Sequence, residues 1–386
     1  MKCHSGLFTC IGVLLCCLAV AFSTGSAVFL ALAVLLALLV VLSAVSVIIA
    51  SRTLNASISL SGQTVHRGED VSLTLTVSHR GLIPIAPVLL VVDSLPDEPE
   101  KRVRLKDMPG RVQTLVLPFR ASHVGVSHPG IRECVVEDLT GFFSVAKKTV
   151  SSLGELVILP GTFATDPLNY APGDPGSEIM ARATEDLSSP SDIRSYQSGD
   201  PIKKIHWKLS LRKNELLVRK YEEPVLSEAL ILMDCSRPPD WGHPEAGADI
   251  RDTLLETAAS VYSDLLETDH SFRMPLIGPH PVAIDRNTGI AIAFDNLCRV
   301  DFSASEKFER VLEMESRHLR KIGCVVIITA RLNSNLVDMM IRLRHMGPVV
   351  RLYLVTFAPN DSRVLPLIGK LNQETVEVSY VSPEPV

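Results

Sequence analysis

Two uncharged aliphatic runs near the start constrain this chain more than anything after them. No residue is charged over the 16 positions from Leu7 to Phe22, and a further 24 uncharged positions run from Ala27 to Ala50. A bilayer core of about 30 Å takes about 20 helical residues, so the second run can span, and the first reaches that range when extended through Gly6 and Ser5. Only Ser23 to Ser26 separate them. The expectation is a transmembrane helical hairpin over residues 1–52. A secretory signal is the competing reading of the first run, but a single Lys2 precedes it and a full span follows at once. Lys2 before the hairpin, Arg52 after it and an uncharged turn between favour both ends inside. Residues beyond 52 would then face the cytoplasm, on a multi-pass protein of the cytoplasmic (inner) membrane in contact with the lipid bilayer.

Composition limits what the rest can be. Charged residues make up 21% of the 386, too many for a chain consisting mostly of spans. A net charge of −5 argues against coating nucleic acid, and 25 prolines without a period exclude a collagen-like chain. Cys3, Cys10, Cys16 and Cys17 lie in or beside the first run, and Cys134, Cys235, Cys298 and Cys324 are scattered without C-x-x-C spacing. Neither a disulfide framework nor a zinc site is signalled. Val13, Leu14 and Leu15 before Cys16 lack the small residue of a lipoprotein cleavage site.

Past the hairpin the hydrophobic period changes to two. Ile58, Leu60, Val71, Leu73, Leu75 and Val77 alternate with Ser and Thr, and Val88 to Val92 form a solid apolar run. Turn pairs separate them at Arg67-Gly68, Arg80-Gly81, Pro109-Gly110 and Pro129-Gly130. This predicts a β-sandwich-like domain over 53–160. Asp138-Leu139-Thr140-Gly141-Phe142-Phe143 near its end reads as a turn with an aromatic core plug. Pro167, Pro172, Pro175 and Pro190 among glycines and serines mark 161–190 as a linker.

The segment Ile193 to Pro224 is the most informative. Asp200-Pro201 has the form of a helix start, with Ile202, Ile205 and Leu209 on one face behind it. Asn214 sits where a tight turn tolerates a left-handed backbone, and Leu216 to Val218 read as a strand leading into Tyr221. Residues 201–220 hold seven basic side chains (Lys203, Lys204, Lys208, Arg212, Lys213, Arg219, Lys220) and one acid, Glu215. The local charge of +6 leaves −11 on the remainder, so positive charge is concentrated here.

The same segment carries a resemblance. Arg194-Ser195-Tyr196-Gln197-Ser198-Gly199-Asp200, then Ile205-His206-Trp207-Lys208-Leu209-Ser210-Leu211-Arg212 and Leu216-Leu217-Val218, closely resemble the signature of the domain-of-unknown-function 58 family. Leu211 stands where that family usually has alanine, and Asn214 where glycine is common. The order of parts is similar too: a two-span hairpin, a β-rich segment, the signature, and a von Willebrand factor A-like C-terminal half, here residues 191–386. The resemblance implies a non-enzymatic, membrane-tethered partner of a MoxR-type AAA+ ATPase, acting with other membrane proteins of the same system in protein remodelling or maturation.

Taken residue by residue, the signature supports two readings. Arg194, Tyr196, Gly199, Asp200, Lys203, Lys204, His206, Trp207, Lys208, Ser210 and Arg212 form a candidate partner-binding set. In that reading Trp207 is an anchor, and Arg194 and Arg212 are clamps for carboxylate or phosphate. Alternatively Trp207 packs into the core and Arg194 ties Asp200 or Glu222. A catalytic role for His206 and Ser210 lacks an orienting acid and an oxyanion site nearby, so no catalytic residues are assigned.

The C-terminal half alternates strand and helix patterns: strands at Ala229 to Met233, Cys324 to Ile328 and Val349 to Val355, helices at Ile250 to Glu267, Lys307 to Leu319 and Leu336 to His345. A doubly wound α/β layout is predicted, with function at the carboxyl ends of its strands. Asp234-Cys235-Ser236-Arg237-Pro238 falls there and resembles the Asp-x-Ser-x-Ser loop by which von Willebrand A domains hold Mg²⁺. Pro238 replaces the third oxygen ligand, and Ala330 occupies the position expected for a further aspartate. Asp234 and Ser236 are therefore read as a degenerate loop that caps its own turn, with no metal and no cofactor. The alternative function is a metal-dependent binding protein, or an uncharacterised enzyme, using that loop.

Overall fold

The computed structural model describes residues 2–79, 87–93, 95, 100–105, 112–152, 154–169, 190–197, 202, 205–221, 228–239, 245–276, 281–303, 307–319 and 322–383. The chain divides into two compact units, Met1–Gly161 with Leu297–Arg299, and Thr162–Asn296 with Val300–Glu384.

The first unit begins with a two-residue strand, β1 (Lys2–Cys3), and the helices α1 (Ser5–Thr24) and α2 (Ala27–Thr53). Both helices are long and apolar enough to cross a membrane. Large apolar side chains such as Phe22, Val28, Leu38 and Leu42 stand exposed along them, a surface unsuited to water. The turn between them closes on Gly25 at φ 64°, whose N–H donates to the Ala21 carbonyl. At 27 residues α2 is about 40 Å long by its rise, roughly 10 Å more than a bilayer core. The excess is used for packing: Val47 and Ala50, with Leu7 of α1, enter the core of the β domain.

That domain is built from β2 (Leu54–Leu60), β3 (Thr64–His66), β4 (Asp70–His79), β5 (Val88–Asp93), β6 (Glu100–Leu105), β7 (Val112–Arg120), β8 (Gly125–Ser127), β9 (Gly130–Glu137), β10 (Phe143–Ser152) and β11 (Leu156–Leu159). The sheets run β1-β10-β9-β5-β6, β2-β4-β7 and β3-β11-β8. Val71, Leu73, Leu75 and Val77 of β4 share one core with Val88, Leu90 and Val92 of β5 and Cys134 and Val136 of β9. The alternation predicted for β4 is thus its inward face. The β1 strand pairs Lys2 with Ser144 and Cys3 with Phe143, so both ends of the helical hairpin attach to this domain.

The second unit holds a hairpin of β12 (Pro190–Ser195) and β13 (Leu217–Tyr221), with α3 (Trp207–Lys213) between them. Its main sheet comprises β14 (Glu228–Met233), β15 (Phe272–Leu276), β16 (Val282–Asp285), β17 (Ile322–Thr329), β18 (Val349–Val355) and β19 (Glu377–Val381), in the order β16-β15-β14-β17-β18-β19. All neighbours are parallel except the β15–β16 edge pair. The parallel strands β17 and β18 are buried at every residue, which is why they read as unbroken apolar runs.

Five more α-helices follow α3 among the described residues: α4 (Ala246–Glu267), α5 (Ile290–Cys298), α6 (Phe308–Ser316), α7 (Ser334–His345) and α8 (Leu365–Gln373). Val325, Ile327, Leu352 and Leu354 pack against α6, α7 and α8, while Tyr353, of opposite parity on β18, lines a cavity with Thr253 and Glu256 of α4. Helices therefore cover both faces of a mixed, mostly parallel sheet.

Candidate functional site

The signature segment folds differently from its helical pattern. Asp200 and Pro201 lie outside the described residues, as do Gly199, Lys203 and Lys204. The expected helix start at Asp200 thus falls outside the described residues; among those described, Ile205 forms a β-bridge to Val218, His206 donates its N–H to the Leu217 carbonyl, and the α-helix runs from Trp207. His206 then caps α3, its Nδ1 accepting from Leu209 N at 3.3 Å. The helix ends on Asn214 at φ 54°, the left-handed residue its position calls for.

Arg194 lies on β12 opposite Val218, and the Tyr196 N–H donates to the Leu216 carbonyl. Ser210 is buried; its hydroxyl donates to the His206 carbonyl at 3.0 Å and accepts from Leu217 N at 2.9 Å, bracing α3 against β13. The outward face is different. Trp207 is 53% exposed and Leu211, one turn later, 80%. Lys208 and Arg212 form the adjacent exposed row. Sequence reasoning left Trp207 open between core and surface; the structure puts it on the surface, beside cations.

The second candidate lies where the strand order reverses. In chain order the sheet runs third, second, first, fourth, fifth, sixth strand, and ligands of such sheets bind at the carboxyl ends between the first and fourth. Here those ends are Asp234, after β14, and Thr329, the last residue of β17. Both are buried. Asp234 Oδ1 accepts from Ser236 N at 3.0 Å and Ser236 Oγ at 2.5 Å, and its Oδ2 accepts from Thr329 Oγ1 at 2.9 Å. Thr329 Oγ1 in turn accepts from Arg331 N at 3.0 Å. The sequence directed attention to Ala330; the side chain that meets Asp234 is its neighbour, a polar residue at the end of an apolar strand.

A cavity of about 1060 Å³ opens beyond Asp234, lined among others by Arg237, Lys307, Arg310 and Arg331. Asn333 caps α7, its Oδ1 accepting from Leu336 N at 2.8 Å, and its Nδ2 donates to Glu309 at 2.8 Å. A Mg²⁺ ion of the von Willebrand A type does not fit this donor set. One carboxylate and two hydroxyls already bonded to it are sparse for a hard cation, and guanidinium groups on both flanking loops oppose further positive charge. Thiol chemistry has no foothold at Cys134 or Cys324, whose thiols burial pushes up to about 12.

Comparison with known proteins gives one family. Residues 192–381 match the family model described as protein of unknown function DUF58, a span that covers the signature hairpin and the α/β sheet. No curated protein matches the chain. Among solved structures, it is similar to the CARDB domain of a Pyrococcus furiosus protein (12% identity, 27% of this chain and 91% of that one, TM-score 0.22). It is also similar to the sporulation control protein Spo0M of Bacillus subtilis (16% identity, 26% and 49%, TM-score 0.15) and to Cwp6 of Clostridium difficile (10% identity, 85% and 53%, TM-score 0.21). The chain spans about half the length of the latter two. At these TM-scores the likenesses carry no argument about fold or function.

Proposed function

We propose, from the DUF58 match over residues 192–381, that this protein is a membrane-anchored, non-enzymatic interaction protein. In this reading it engages a MoxR-type AAA+ ATPase and other membrane proteins of the same system, in protein remodelling or maturation. The observation that carries it is the outward face of α3, where Trp207 and Leu211 stand exposed beside Lys208 and Arg212. An exposed aromatic with a flanking apolar residue and a cationic row suits docking to an acidic protein surface.

Two further parts of the reading have support of their own. The hairpin is the membrane anchor, with both its ends on the side of the β domain and the soluble residues in the cytoplasm; pairing of Lys2–Cys3 with β10 favours a retained N-terminus. The C-terminal half is von Willebrand A-like, which the strand order and a buried Asp-x-Ser loop at the switch point favour.

The test is capture of the ATPase by full-length protein from native membranes. Trp207→Ala combined with Lys208→Glu and Arg212→Glu should reduce capture about tenfold or more while leaving the melting temperature unchanged, since all three side chains are exposed. Undiminished capture by the triple variant would remove α3 from the interface.

A further inference from the structure

The cavity beyond Asp234 occupies the position where a doubly wound sheet holds its ligand, yet its rim carries charge of the wrong sign for a metal centre. Arg237 comes from the loop after β14, Lys307 and Arg310 from the start of α6, and Arg331 from the loop after β17. All four are exposed, and among the described residues none forms an ion pair. Three carboxylates share the lining: Asp234, which accepts the Ser236 and Thr329 hydroxyls, Glu309, which accepts the Asn333 amide, and Glu313; four cations against three acids leave one positive charge in excess, with all four cations at the exposed rim and Asp234 buried beneath. Four cations gathered from three segments repel one another, and a fold that keeps such an arrangement gains nothing from it in stability. An anionic ligand relieves the repulsion.

We propose that this cavity receives an acidic segment of a partner protein directly, carboxylate against guanidinium, with no metal ion between them. Guanidinium forks match carboxylates in bidentate fashion, and three of the four cations are arginines. Phosphate is the poorer match. Phosphate cradles use successive backbone N–H groups in flexible, glycine-rich loops, whereas the loop here runs Asp234-Cys235-Ser236-Arg237-Pro238-Pro239, with no glycine and two residues lacking an N–H. Leu336 and Met339 supply apolar wall between the charges, and Asn335 offers an amide to a peptide backbone. This contact is separate from α3 and stands without the reading given for that helix.

The test uses the full chain in detergent micelles and a labelled peptide of about 12 residues alternating glutamate and alanine, followed by fluorescence anisotropy with a chelator present. Saturable binding is expected, weakening about tenfold between low and moderate salt. Arg237→Glu with Arg331→Glu should weaken it at least about tenfold, and Arg317→Glu with Arg363→Glu, exposed cations outside the cavity lining, should leave it unchanged. Absence of saturable binding, or full binding by the Arg237/Arg331 variant, overturns the proposal. Loss of binding in a Lys208→Glu/Arg212→Glu variant while the Arg237/Arg331 variant still binds moves the acidic contact to α3 and overturns the proposal. A requirement for Mg²⁺ restores a metal-bridged site, and displacement of the peptide by tripolyphosphate at far lower concentration than by unlabelled peptide makes the ligand a phosphate; either result also overturns it.

Discussion

Asp138 and Asp234 are both buried just past the end of a strand, and each carboxylate accepts from two hydroxyls and from backbone N–H. For Asp138 the donors are Ser43, Thr140 and the N–H of Phe143; for Asp234 they are Ser236, Thr329 and the N–H of Ser236. In both cases one donor lies 95 residues away along the chain. What differs is the next layer. Ser43 belongs to α2 and Phe143 is buried in the same core as Val47 and Ala50, so Asp138 fastens a helix of the apolar hairpin to the β domain. Asp234 has a cavity with four cations beyond it. A hydrogen-bonded aspartate at a strand end is therefore neutral as to role, and the groups one layer further out decide between brace and binding site.

Substitution separates the two most strongly. Asp138→Ala leaves the buried Ser43 hydroxyl and the Phe143 N–H without their acceptor, while the exposed Thr140 hydroxyl can turn to water, and should cost about 2–3 kcal/mol of stability in denaturant unfolding of the full chain. A loss below about 1 kcal/mol would mean that the turn is not a brace. Ser43→Ala removes one of its donors and should cost about 1–2 kcal/mol.

A pH profile sharpens the comparison. Burial alone would raise the Asp138 carboxyl, but hydrogen bonds from Ser43 and Thr140 and from the N–H groups of Phe143 and Phe142 outweigh it and hold the group below the usual carboxylate range. Its folded value lies under its unfolded one, so the stabilisation is complete above the ordinary carboxylate value and fades as pH falls through the lowered folded value. The melting-temperature gap between wild type and Asp138→Asn should narrow over that acidic window; a gap independent of pH would contradict the assignment.

Smaller effects are expected on the other side. Asp234→Ala leaves the Ser236 and Thr329 hydroxyls beside a cavity that water can enter, and should cost only about 1 kcal/mol. Smallest of all is the response to Mg²⁺. Millimolar Mg²⁺ should hardly move the melting temperature, because a weakly bound ion shifts stability little. A clear rise that Asp234→Ala abolishes would show that the loop ligates a cation and that the contrast with Asp138 is one of metal chemistry.

Sequence alone determined the features that depend on near neighbours. The apolar runs become α1 and α2, the alternation at Val71 to Val77 becomes an inward strand face, the unbroken run at Cys324 becomes a two-sided buried strand, and Asn214 is a left-handed cap. Each follows from side-chain period or backbone stereochemistry within a few residues. Even there local pattern can lose, as at Ile205, where a cross-strand bridge to Val218 outweighs helical spacing. Tertiary structure decided which distant groups meet: Ser43 with Asp138, Thr329 with Asp234, and Arg237, Lys307, Arg310 and Arg331 around one cavity. No spacing rule encodes those meetings, because they depend on β17 lying beside β14 while β15 and β16 take the other side, an order set by how the whole sheet buries its two faces.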